Sequence, residues 1–159
     1  METVMYRTIV LAYDGSLEGR LALREGARLA QICKARVVLV AVVEPVPELF
    51  VGDLSPVYLS SDKAGEIQKI LDEGVLRLKR MGLVPEARLE RGQPAERITA
   101  IARETGADLV VVGHHKQGSL ARWLLGSVTA TLVDTLPCSL MVARLDIPDE
   151  VLFGEAAPG

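Results

Sequence analysis

Apolar positions follow two rhythms along the chain. Four runs are almost continuously aliphatic and of strand length: "RTIVLAY" at 7–13, "RVVLVAVV" at 36–43, "ADLVVVG" at 107–113 and "CSLMVAR" at 138–144. A fifth, "EARLERG" at 86–92, alternates polar and apolar residues and predicts a less buried strand. Continuous Val, Ile and Leu suit strands covered on both faces, the habit of parallel sheets.

The segments between them have helical spacing. From Ser16 to Cys33, the residues Leu23, Gly26, Ala27, Ala30 and Cys33 form a face of small side chains, so this helix can approach a sheet closely. Ile67, Ile70, Leu71, Val75 and Leu78 make a second stripe, ended by Gly82. Pro94 suits the first turn of a third helix, whose Ile98, Ile101 and Ala102 face stops at Gly106. A fourth runs from Gly126 to Thr135, and Pro137 prevents its continuation. The order β-α-β-α-β-α-β-α-β predicts an α/β protein: an open, doubly wound, five-stranded parallel sheet with helices on both faces, Rossmann-like. One domain is expected over 1–145, with a flexible tail at 146–159. Residues 44–62, with three prolines, read as a long loop.

Composition narrows the classes of function. The formal charge of −3, an aromatic content of 4% and the lack of a basic block argue against nucleic-acid binding. No apolar run reaches the roughly 18 residues of a membrane span, and "METVMYRTIV" lacks the features of a signal peptide. A cytoplasmic protein is expected. Cys33 and Cys138 lack CxxC spacing, so two reduced structural thiols are expected rather than a disulfide or a zinc site.

In open α/β sheets ligands bind beyond the carboxyl ends of strands, where strand order reverses. After the first strand, "AYDGS" offers Asp14 as an acceptor for a base or ribose, with Gly15 and Ser16 starting a helix. Asp14 and Ser16 equally suit a turn and an N-cap, and both readings stand. After the fourth strand, "GHHKQGSLARWLLGS" has glycines at 113, 118 and 126. The P-loop pattern fails because Ser119 stands where Lys is required, and GxGxxG is absent. His114 and His115 are adjacent, not four apart as two ligands of one metal on a helix would be. No GxSxG elbow and no placed general base is found, so nothing beyond a weak ATPase is expected. What remains is backbone chemistry: amides freed by glycines can converge on an anion, and the helix opening at Gly126 and Ser127 favours phosphate. A connecting loop that merely tolerates glycine fits as well.

The stretches "IVLAYDGS", "GHHKQGSLARWLLGSVTATLV" and "PCSLMVAR" together resemble the universal stress protein family over residues 6–144. ATP-binding members carry G-x2-G-x9-G-[ST]; Gly113, Gly126 and Ser127 match it, and Lys116 replaces the second glycine. "GHH" is similar to the branch without ATP, and "LLGSV" to the branch that binds it. The resemblance implies an adenine nucleotide, ATP first, with magnesium accompanying it. It places Asp14 at the adenine within the segment from Ala12 to Ser16, and Val42 or Val43 beside ribose and base. Gly113, Gly126, Ser127 and Val128 would wrap the triphosphate, with His114, Lys116 and Gly118 as neighbours. A non-glycine residue held left-handed at 116 costs about 1–2 kcal/mol. A charge-assisted bond from Lys116 to phosphate could return about 1.5–3 kcal/mol, so the substitution need not abolish binding and could change which nucleotide is preferred. The resemblance also implies a homodimer through strand 138–144, whose apolar edge invites pairing.

Overall fold

In the computed structural model, residues 4–45, 56–114 and 127–143 are described. Strands β1 (Thr8–Ala12), β2 (Arg36–Val43), β3 (Glu86–Arg91), β4 (Leu109–Gly113) and β5 (Ser139–Ala143) form one five-stranded sheet in the order β3-β2-β1-β4-β5. Every pairing is parallel. Helices α1 (Leu17–Cys33), α2 (Pro56–Arg80), α3 (Pro94–Thr105) and α4 (Ser127–Thr135) connect successive strands. The expected α/β class and element order are thus observed.

The aliphatic runs bury both sides of each central strand. Ile9 and Leu11 of β1, Leu39 of β2 and Leu109 and Val111 of β4 point to one face, where Ala22, Leu23, Ala27 and Ala30 of α1 and Leu71 and Leu78 of α2 cover them. Val10, Val38, Val40, Val110 and Val112 point to the other, against Ile98, Ile101 and Ala102 of α3 and Leu132 of α4. This split follows from right-handed crossovers: the chain moves outward through β2 and β3 with α1 and α2 on one face, then returns past β1 to β4 with α3 and α4 on the other. The small-residue face of α1 permits close packing, and a Cβ on Gly26 would run into the Leu11 side chain.

Ends follow local chemistry. Ser16 caps α1, its Oγ accepting from the Gly19 N–H at 3.0 Å, and Gly106 closes α3 in a left-handed conformation. The expected loop over 44–62 is corrected in its second half, because α2 already begins at Pro56. Pro56 takes a first helical position, where its missing N–H costs nothing, and the segment up to Lys63 carries no apolar stripe to announce the helix. The rest of that loop and the tail at 146–159 lie outside the described residues.

At the amino ends of the strands, Asp108 latches β4 to β1. Its carboxylate accepts from Arg7 N–H at 2.9 Å and Thr8 N–H at 3.1 Å, while its own N–H donates to the Thr8 carbonyl at 3.0 Å. Removing the carboxylate takes the partner from the part-buried Thr8 N–H, while the exposed Arg7 N–H can turn to water, so Asp108→Ala should cost about 1 kcal/mol. The check is a urea titration in which the midpoint falls at constant slope; an unchanged midpoint contradicts the latch.

Candidate functional site

The reversal of strand order leaves a crevice between the carboxyl ends of β1 and β4. The chain leaves β1 toward α1 on one face and β4 toward α4 on the other, so the two connections diverge. A cavity of about 430 Å³ lies there, in the range of small-ligand sites. Ala12, Val40, Val42, Val112 and Ile98 give it apolar walls, and Asp14, Glu44 and Lys63 bring charge to its lining.

The turn after β1 is built by its own side chains. Gly15 has φ +78°, which an L residue adopts only with strain, and its bare α-carbon faces the Ile70 side chain of α2. The Oδ1 of Asp14 accepts from the Ser16 N–H at 3.0 Å and from the Ser16 hydroxyl at 2.5 Å. Asp14 and Ser16 therefore do make the turn and the cap, and Asp14 also lines the cavity.

Gly113, at the end of β4, is required by close approach. A Cβ there would sit 2.6 Å from the Glu18 carbonyl oxygen and 3.0 Å from the Gly19 nitrogen. These are backbone atoms of the first turn of α1, so a side chain could be admitted only by moving that helix. The next residue, His114, donates its backbone N–H to the Ala143 carbonyl at 3.0 Å, extending the ladder toward β5.

Of the residues expected from sequence, Ala12, Asp14, Val42, Gly113 and Val128 come together around the cavity. Ser16 stands behind Asp14 as the cap, and Val43 is buried on the opposite side of the pleat from Val42. Ser127 opens α4. Lys116, Gly118 and Gly126 lie outside the described residues. Tyr13, Glu44, Lys63, Pro94, Ile98 and Thr129 also line the cavity and were not anticipated. They come from both faces of the sheet, and strand order alone brings them together. Among the described residues no group of three or more His, Cys, Asp or Glu is placed to hold a metal, and no helix is long and apolar enough to cross a membrane.

Behind the cavity, buried Tyr13 donates its hydroxyl to Glu73 Oε2 at 3.2 Å. Glu73 Oε1 accepts from Arg77 Nε at 2.8 Å and lies 3.3 Å from the Arg20 guanidinium of α1. Burial pushes the Tyr13 hydroxyl pKa up; the Arg20 bond opposes this and the Glu73 charge adds to it. The Arg77 hydrogen bond holds the Glu73 carboxyl below its ordinary value, against partial desolvation and with help from Tyr13 and Arg20. The cluster ties α2 to α1 and to the turn that carries Asp14.

Residues 5–144 match the profile of the universal stress protein family. A universal stress protein of Thermus aquaticus is 33% identical over 144 residues, covering 88% of this chain and all of that protein. A universal stress protein solved in complex with cAMP is 27% identical, with a TM-score of 0.65 over 87% of this chain and 96% of that one. A family member from Burkholderia pseudomallei is 30% identical, with a TM-score of 0.72 over 89% and 98% of the two chains.

The Glu73 cluster makes stability depend on pH with a definite sign. A carboxyl whose pKa is lowered by folding stabilises the protein above its unfolded pKa of about 4.3, and the benefit disappears as pH falls through the folded value. Glu73→Gln should therefore be less stable than the parent at pH 7, by less than about 1 kcal/mol because the pair is partly solvated. The gap should shrink between pH 5 and pH 3 in denaturant titrations; a gap independent of pH would contradict the assignment.

Proposed function

The chain belongs to the universal stress protein family, and from that premise we propose that it is a regulatory protein that binds an adenine nucleotide, ATP first, in the crevice between β1 and β4. One observation carries the reading: Ala12, Asp14, Val42, Gly113 and Val128, which the family resemblance assigns to the nucleotide, surround a single cavity. The cAMP complex of a 27%-identical relative supports an adenine ligand in this fold. The described residues fit such a group. The apolar walls of Val40, Val42, Val112 and Ile98 suit a flat base, and the Asp14 carboxylate can accept from an exocyclic amine or a ribose hydroxyl. Gly126, Ser127 and Lys116 are assigned to the phosphates, and magnesium would accompany the triphosphate, whose own oxygens supply ligands to that ion.

A second reading, a stress or interaction protein with a vestigial site, is favoured by a different observation. Asp14, Ser16 and Gly113 all answer structural needs, the turn, the cap and the approach of α1, with no ligand required. Calorimetric titration with ATP, ADP and AMP separates the readings. Binding at millimolar ligand or below, weakened in Gly126→Val, is the expected result. Lys116→Gly should leave affinity unchanged or lower it, and should flatten its salt dependence. No binding of any adenine nucleotide at millimolar concentration selects the vestigial site.

The chain is also proposed to form a homodimer through β5. The sheet has two edges of opposite character. The β3 edge is laced with ion pairs of Arg88 to Glu86, Glu90 and Glu104, which blunt it against strand addition. The β5 edge presents Leu140, Met141 and Val142, all partly exposed. Light scattering at micromolar concentration should return twice the chain mass of 17.2 kDa; the monomer mass would contradict the pairing.

A further inference from the structure

The apolar stripe of α2 does not end at Ile67. Ile67, Ile70 and Leu71, Val75 and Leu78 pack toward the sheet at helical spacing, and the position four residues before Ile67 on the same face is Lys63. A lysine there can lay its stem along the stripe and leave its charged end for polar neighbours. Lys63 is half-buried and lines the cavity beside Ile67, a setting in which a lysine stem extends an apolar face and its charged end keeps to polar surroundings.

Charge around the cavity gives that placement a consequence. Among the described lining residues the carboxylates are Asp14 and Glu44, and Lys63 is the one lysine or arginine. Two carboxylates repel a phosphate-bearing ligand, and Lys63 offsets them. The helix that carries the lysine is anchored further along. Helix α2 is fastened through Glu73 to Tyr13 and to Arg20 of α1, and Ile70 packs against the bare face of Gly15. Lys63 therefore projects from a helix rather than from a loop, which suits a residue that discriminates between ligands.

We propose that Lys63 sets the charge preference of the cavity, making it select anionic ligands over neutral ones of the same base and sugar. The inference rests on the adenine-nucleotide reading and adds to it a residue outside the glycine motif. The test compares adenosine, AMP and ATP on the parent protein, Lys63→Gln and Lys63→Arg by calorimetry at two salt concentrations. In Lys63→Gln the preference for AMP over adenosine should fall about ten-fold, the scale of one charge-assisted hydrogen bond, with adenosine affinity kept within about two-fold. Its AMP affinity should also become less sensitive to salt. Lys63→Arg should restore most of the preference. An unchanged preference, or an equal loss for adenosine and AMP, overturns the role of Lys63 and leaves the nucleotide reading standing. A parent protein that binds none of the three overturns the nucleotide reading and this inference with it.

Discussion

The burial of β1 on both faces is the constraint on which the rest of this structure depends. Ile9, Val10 and Leu11 are almost completely withdrawn from water, with β2 paired on one side and β4 on the other. A strand in that position needs helices above and below it, and parallel neighbours can be reached only by crossovers. Because crossovers are right-handed, extending the sheet outward from β1 on one side puts helices on one face, and extending it on the other side puts them on the opposite face. The two connections that leave β1 and β4 must diverge. The cavity is the space they leave, so the site follows from the topology before any lining residue is considered.

The residues at that space carry two duties. Asp14 fastens the turn through Ser16 and also lines the cavity. Gly113 admits the first turn of α1 and also lines the cavity. This overlap explains why an isolated motif is a weak guide to binding in this fold: the same residues are needed to close the turn and seat the helix whether or not a nucleotide is held. Residues whose charge the fold itself does not use discriminate better, and the charged end of half-buried Lys63 on α2 is proposed to be of that kind.

Strands and caps were legible in the sequence because the forces that form them are local. The Val, Ile and Leu runs name the buried strands, Ser16 carries its capping oxygen, and Gly106 has the freedom to reverse α3. The start of α2 was not legible. "PVYLSSDK" has neither a continuous stripe nor a capping box, and its helical state is continuous with turns held further along by Ile67, Ile70 and Leu71. Half of the cavity was hidden for another reason. Glu44, Lys63, Pro94 and Ile98 are far apart in sequence, and they meet only because β1 lies between β2 and β4. Val42 and Val43 could not be separated from sequence alone; the pleat decides that Val42 faces the cavity.

The central claim is that ligand binding occurs where the strand order reverses, and backbone amide shifts in an NMR titration with ATP test it most directly. The account predicts changes concentrated at 12–16, at 42–44, at Gly113 and at the start of α4, around Val128 and Thr129. Changes concentrated instead at the amino ends of the strands, around Arg7 and Asp108, or in the polar groove between α3 and α4 at Thr99 and Thr135, would contradict it.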